Sequence, residues 1–451
     1  MKVKYIYKYL IIAFAAIVLG ACTNTEVDQK FDQTPTERLN ARKTELNDLL
    51  LSSQEGWKAV YYTDSTQLGG FTHIFKFLPD GKVDMASDFS DSKHEGDAIV
   101  KRSQYEIQTG STVSLVFTTA NKIHLLSDSN NYPTAALVGK GYLGDFQFFY
   151  YGQENGEIIF RTNRNGHELR FVKATAQDWT DLAESIVINQ NITGTPTSPL
   201  FRLVEINDGS SIEQFEFNYN TNARFGVATS LVPNSNKSIN LALSFTPTGA
   251  VVKPAVVVKG QKLSNFVYDE TTTNFVATGT GGVTATIKFT NTPPTLTDDY
   301  KLLLPGRSTL AFGYYPGDYI EDAPTNSQLF YEELDKINAL LPAGQFVTSI
   351  QIYTNHSLGN FIYYTFSGRS AIFHYVDIIE DAAGKKIILK HKSWSGNTTA
   401  PAPAFLASFD SHLVDPNGIY VKKESFKMGY TNTVYTFTSS SSSFRMSVWL
   451  L

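Results

Sequence analysis

The chain has 451 residues, a formal net charge of −5 and a single cysteine, with 13% aromatic and 18% charged residues. An acidic chain without basic clusters is a poor nucleic-acid binder, so no nucleic-acid partner is expected. The aromatic-rich, weakly charged balance favours a β-rich globular protein over disorder, and the length suffices for two or three domains.

Residues 1–21 read as a signal peptide: Lys2, Lys4 and Lys8, then an apolar run from Tyr9 to Leu19, then Gly20-Ala21. The run is shorter than the roughly 20 residues a spanning helix needs. Leu19-Gly20-Ala21-Cys22 resembles the lipobox of bacterial lipoproteins, where lipid is added to the cysteine thiol and the chain is cut before it. Cys22 is therefore the expected lipidation site, carrying palmitate-type chains that hold the protein on a membrane. With the one thiol used, disulfides and thiolate metal sites are excluded. Cleavage removes three lysines and no acid, so −5 becomes −8. Residues 22–33 are polar, include Glu26 and Asp28, and read as a tether. Acidic residues there loosely match a surface-export signal, which gives the expectation of an outer-membrane lipoprotein facing the cell exterior.

Thr34-Pro35-Thr36-Glu37 is a capping box with proline at the first helical position, and Leu39, Leu46, Leu49 and Leu50 follow on one face, predicting a helix that stops before Gly56. Short alternating runs come next, Trp57 to Tyr62, Phe71 to Leu78, Tyr105 to Ile107 and Val113 to Phe117, with turns at Pro79-Asp80-Gly81, Asn155-Gly156 and Asn165-Gly166. Between them, Asp84, Asp88, Asp91, Glu95 and Asp97 gather beside His94. Three readings are open: a solvated loop, a calcium site built from hard oxygen ligands, or an acid–base pair for hydrolysis around Asp88 and Asp91. EF-hand spacing is absent, and no catalytic residue is assigned.

Ser90-Asp91-Ser92-Lys93 matches Ser-x-x-Lys without the helix or companion motifs that chemistry requires. Gly139 to Gly144 fits the dinucleotide fingerprint as text, but strand-like Asp145 to Tyr151 follows where a helix must hold the pyrophosphate. Phe146 to Tyr151 is apolar on both faces, which predicts a strand buried between two layers, the alternative being aromatics exposed to stack on sugar rings or meet a partner. Tyr61-Tyr62 and Tyr363-Tyr364 are further aromatic runs, able to pack inside or to stack on sugar rings or a partner.

A second helix is predicted from Thr175 and Asp178 in cap positions with Trp179, Leu182, Ala183 and Ile186 at helical spacing; a third starts at Thr325 and Gln328, runs through Phe330, Leu334, Ile337 and Leu341, and stops at Pro342. Phe361 to Phe366 and Ile387 to Lys390 read as strands, with a turn at Pro416-Asn417-Gly418. Thr193 to Pro199 and Thr290 to Leu296 are candidate joints. A weak repeat links Tyr62-Thr63-Asp64…Leu68-Gly69-Gly70-Phe71 with Tyr353-Thr354-Asn355…Leu358-Gly359-Asn360-Phe361, and Ile206-Asn207-Asp208-Gly209 before Phe215 and Phe217 is a faint middle echo. The fold expected is mainly β with a few short helices (β-rich α+β), in two or three antiparallel-sheet domains, each introduced by a helix. The boundaries expected are 34–174, 175–310 and 311–451, the third able to pack with the second as one domain.

The eight histidines, His73, His94, His124, His167, His356, His374, His391 and His412, include no close pair, and neither His-Glu-x-x-His nor Gly-x-Ser-x-Gly occurs. No cofactor beyond possible calcium is expected.

The lipobox, Phe31-Asp32 before Glu37-Arg38-Leu39, Gly56-Trp57-Lys58, Gly69-Gly70-Phe71, Phe77 through Asp80-Gly81-Lys82-Val83 and Ser87-Asp88-Phe89 together resemble a Bacteroidetes lipoprotein family catalogued as a domain of unknown function, type 4302. Gly144-Asp145-Phe146, Asp178-Trp179 and Phe245-Thr246-Pro247-Thr248-Gly249 through Phe266 continue the resemblance, which covers residues 31 to 270. It implies a non-enzymatic accessory to glycan or peptide uptake, partnered by a TonB-dependent transporter and its ligand-capturing lipoprotein as in starch-utilisation-like loci. It carries over no catalytic or ligand-binding residue. The alternatives are a secreted carboxylate-dependent hydrolase and a structural or adhesive surface protein.

Overall fold

The structure is a computed structural model and describes residues 33–451 apart from 92, 93, 95 and 397. The signal peptide, Cys22 and nearly all of the tether lie outside the described residues. Three antiparallel meanders follow one another, and each closes into an eight-stranded barrel. The first runs from β1 (Trp57–Tyr62) to β8 (Glu168–Lys173) and closes through Trp57 opposite Lys173 and Lys58 opposite Val172. The second runs from β9 (Phe201–Asp208) to β16 (Val283–Thr290), which pair along their whole length. The third runs from β17 (Leu310–Tyr314) to β24 (Arg445–Leu450), joined by Phe312 opposite Leu450 and Gly313 opposite Trp449.

A closed sheet has one interior, and alternate residues of each strand fill it. In the first barrel that interior is aromatic: Phe75 lies 4.9 Å from Phe171 and 5.2 Å from Phe117, ring centre to ring centre. The second is more aliphatic, with Val204, Leu241, Leu243, Val252 and Ile287 buried around Phe215 and Phe266. This geometry corrects the reading of Phe146 to Tyr151 as a strand between two layers. Phe148 and Tyr150 point inward, whereas Phe146, just ahead of the strand Gln147–Glu154, is 42% exposed and Tyr151 is 54% exposed on the outer wall.

Each barrel is served by a helix whose apolar face enters the core. In α1 (Pro35–Leu51) the capping box forms as read, with Thr34 and Glu37 bonding each other's backbone, and Leu46 and Leu50 are buried in the first core. The indole of Trp57 donates to the Leu50 carbonyl at 3.0 Å, fixing the helix to the strand it precedes. In α2 (Ala176–Thr193), Thr175 and Asp178 cap reciprocally. Leu182 packs with Ile74 and Ala86 on the outer wall of the first barrel, while Ile188 and Ile192 enter the second core. Thus α2 is shared between two barrels. In α3 (Gln328–Leu340) the cap is Ser327, which accepts from the Phe330 N–H, and not Thr325, whose hydroxyl bonds Ser447. A short α4 (Ala407–Leu413), which the sequence reading lacked, has no side-chain cap to announce it.

The third helix stands between β17 and β18 (Val347–His356), so the third barrel places one strand ahead of its helix. Because last and first strands pair in a closed meander, moving one strand to the front leaves the barrel unchanged. Counted from the helix, the three repeat segments occupy equivalent hairpins: Tyr62 to Phe71 joins β1 to β2 (Gly70–Phe77), Ile206 to Phe215 joins β9 to β10 (Ile212–Asn220), and Tyr353 to Phe361 joins β18 to β19 (Gly359–Phe366).

Among the buried polar groups of the first barrel is one imidazole. His73 is 0% exposed, its Nδ1 lies 3.3 Å from the Phe71 carbonyl, and its Nε2 has no partner. Burial holds its pKa down to about 3. A folded pKa below the unfolded value means that the unfolded chain binds the proton more readily. This contribution to stability is therefore complete above about pH 6.5, the ordinary histidine value, and is lost as pH falls toward 3. Urea denaturation between pH 7 and 4 should show a steep loss for the native chain and a shallower one for His73→Leu; parallel profiles would refute the assignment.

Candidate functional site

The carboxylates between Asp84 and Asp97 do not converge. Asp84, on β3 (Lys82–Ser87), forms a two-pronged pair with Arg102 at 2.6 and 2.8 Å, and that bond holds its carboxyl below the usual range. Asp91 accepts from the His94 N–H at 2.8 Å and from the Asn131 amide. Asp97 pairs with Lys122. Glu95 lies outside the described residues, as do Ser92 and Lys93. Among the described residues no three His, Cys, Asp or Glu side chains are grouped to hold a metal ion. The solvated-loop reading fails at Asp88 and Asp91, whose side chains are enclosed. For Asp88 the reason is a neighbouring barrel.

Arg224, from the second barrel, inserts into the first. Its Nη1 donates to Asp88 Oδ2 at 3.0 Å and to the Gly70 carbonyl at 3.1 Å, its Nη2 donates to the Asp88 carbonyl, and both residues are 0% exposed. The guanidinium lies between the rings of Phe71 and Phe245, 4.4 and 5.2 Å from their centres. The other Asp88 oxygen accepts the Thr72 N–H at 2.8 Å. Burial pushes the Asp88 carboxyl up while Arg224 opposes it. Gly69 donates its N–H to the Ala223 carbonyl at 2.8 Å, and a Cβ there would stand 2.3 Å from the Leu243 carbonyl oxygen, so the close approach of the barrels requires glycine. Tyr62 extends the joint by donating to Ser244 Oγ at 2.7 Å.

The second and third barrels meet differently, leaving a cleft of about 550 Å³ between their outer walls. Arg202 on β9 and Glu216 and Asn218 on β10 line one side, residues 293–297 the floor, and β22 (Ile419–Lys423), β23 (Val434–Ser439) and Arg445 the other. Strand pairing sets Tyr420 beside Thr438 and Lys422 beside Thr436 on that wall. Arg202 donates to the Ile192 carbonyl at 3.0 Å and to the Thr193 carbonyl; Arg445 donates through Nε to the Thr325 carbonyl at 2.5 Å. Burial lowers the pKa of both guanidinium groups. Tyr219 also lines the cleft, and its buried hydroxyl lacks a hydrogen-bond partner. A cavity of this size, with rings and a few convergent polar groups, is what a small-molecule site requires.

The remaining aromatic run divides as a barrel strand must: Tyr364 is interior and Tyr363 sits on the outer wall, 4.5 Å from Phe373. Tyr364 and His374 both bond the buried Asp410, at 2.7 and 2.8 Å, and His374 Nε2 meets His391 Nδ1 at 2.8 Å. This chain of polar groups is satisfied internally. The cleft residues escaped the sequence reading because Arg202 and Arg445 stand more than 240 positions apart, each a lone cation in a strand. The only local hint was the Thr- and Pro-rich segment Thr290 to Leu296, which leads into the floor.

Arg224→Leu should destabilise the chain by about 3–5 kcal/mol, because it leaves a buried carboxylate unpaired. The double variant Arg224→Leu, Asp88→Leu should recover much of that loss. Urea unfolding of the three proteins measures both quantities, and a single variant costing under about 1 kcal/mol would show that the joint does not depend on the pair.

Residues 27–270 match the family model described as Domain of unknown function (DUF4302), more than half of the chain. The match spans the first barrel and six strands of the second, ending between β14 (Gln261–Asp269) and β15 (Asn274–Thr278). No curated protein matches. Among solved structures, the crystal structure of isotype 1 transferrin binding protein B from serogroup B Neisseria meningitidis is 9% identical, with 84% of this chain and 64% of that one covered and a TM-score of 0.12, too low to indicate a common fold. The chain thus spans less than two thirds of that protein's length. On the strength of this match over more than half of its length, the chain belongs to the DUF4302 family.

Proposed function

We propose that this protein is a non-enzymatic lipoprotein, anchored to the outer membrane through lipid on Cys22 and facing the exterior. In this role it captures a nutrient for uptake by a TonB-dependent transporter and its lipoprotein partner. The observation that carries the ligand-binding part is the cleft between the second and third barrels, a concave polar and aromatic surface of about 550 Å³. The lipobox Leu19-Gly20-Ala21-Cys22 supports the anchor. The hydrolase alternative loses its pair, because Asp88 is sealed against Arg224 where no substrate or water can reach it.

Incubated with polysaccharide and peptide digests, the purified chain should retain a glycan or peptide. Asn218→Trp, which places a bulky ring at an exposed position of the cleft, should reduce retention about tenfold, the equivalent of 1.4 kcal/mol, with thermal unfolding unchanged. Equal retention by the variant would move the site elsewhere. Radiolabelled palmitate should enter the native chain and not Cys22→Ser, and proteinase added to intact cells should degrade the protein; resistance would place it in the periplasm.

A further inference from the structure

Resting on the cleft as the binding site, we infer that its ligand is an acidic oligosaccharide whose carboxylate or sulfate group lies between Arg202 and Arg445. The cleft is lined by four cations, Arg202, Lys385, Lys422 and Arg445, against two acids, Glu216 and Glu424. The chain as a whole carries −5, so a wall with an excess of two positive charges runs against the rest of the molecule. The lysines have acidic neighbours, Lys422 with Glu424 at 3.4 Å and Lys385 with Asp298 at 3.7 Å. The two arginines do not: the hydrogen bonds they donate go to backbone carbonyls, and no described carboxylate forms an ion pair with either. Glu424 acts on Arg445 through space but is held by the Thr436 hydroxyl at 2.9 Å.

Two half-buried guanidinium groups without counter-ions are costly, since the charge is partly desolvated with only carbonyls and ring faces in return, Phe289 at 5.2 Å under Arg202 and Phe201 at 5.5 Å under Arg445. An anion entering the cleft would supply the missing charge, and a guanidinium fork matches the two oxygens of a carboxylate or sulfate. Arg445 spends only Nε on the chain, and Arg202 leaves Nη1 uncommitted. The rest of the lining favours a sugar over a peptide. Tyr420 offers ring surface, and Thr438 and Asn218 offer a hydroxyl and an amide group for sugar hydroxyls.

Isothermal titration of the purified full-length chain in detergent tests this with four probes: a galacturonic acid trimer, a sulfated chondroitin disaccharide, neutral maltotriose and an acidic tripeptide. One or both acidic sugars should bind, the stronger arm identifying carboxylate or sulfate, with affinity falling at least tenfold between 50 and 500 mM salt. Arg445→Gln should weaken that binding at least tenfold and Arg445→Lys less. Lys422→Gln, at an exposed position that carries no part of the fold, should weaken it two- to fivefold and guards against an Arg445 variant that fails to fold. Tighter binding of maltotriose would overturn the acidic assignment and leave the cleft as a binding site. Tighter binding of the tripeptide would overturn the sugar assignment. Binding of no probe, with retention of a neutral ligand from digests, would overturn the inference alone; binding of none in either experiment would overturn the cleft reading as well.

Discussion

An antiparallel sheet of eight strands carries two edges, each a row of unpaired N–H and C=O groups, and a chain that exposes them invites another sheet to pair there. All three sheets of this protein remove both edges by pairing the last strand with the first. Closure then dictates the rest. Each barrel has one interior, filled by the inward residues of every strand and entered by an apolar helix face. The cleft between the second and third barrels lies outside all three interiors.

The walls meet in two contrasting ways. Between the first and second barrels the contact is buried and specific: one arginine, one aspartate, two aromatic rings and a glycine that lets the backbones approach. Buried ion pairs contribute little net stability, yet breaking one is costly, and that asymmetry suits a joint that must form in a single arrangement. Between the second and third barrels the facing surfaces enclose a cleft, and the guanidinium groups of Arg202 and Arg445 in it have no ion-pair partner among the described residues. The family match covers the first of these joints and stops before the residues of the third barrel that build the second.

Much of the architecture was legible in local pattern. Thr34 with Glu37 and Thr175 with Asp178 announced two helices through reciprocal caps, and alternation with turn residues marked the meanders. Two errors have physical causes. Thr325 and Ser327 are both competent caps two positions apart, and the choice between them was made by Ser447, more than a hundred residues away. The apolar outer face of Phe146 to Tyr151 suggested a second covering layer, but a closed barrel has only one inside, and Tyr151 instead lies under the guanidinium of Arg161. Closure, the Asp88–Arg224 joint and the placing of Arg202 and Arg445 in one cleft are all products of distant strands meeting. A single sequence shows the residues and not the meeting.

The sequential order of the strands also shapes how the chain can acquire its structure. Within each barrel, seven of eight neighbouring pairs are consecutive in the chain and form hairpin by hairpin; one pairing, such as Phe201 with Thr290, joins distant segments. The entropy of closing a loop grows only with the logarithm of its length, so that last step costs little more for a barrel of 140 residues than for one of 90. Three successive units of this kind divide a long folding problem into short ones, each limited by a single late encounter of two strand ends. A polypeptide synthesised from one end can therefore assemble in the order in which it emerges.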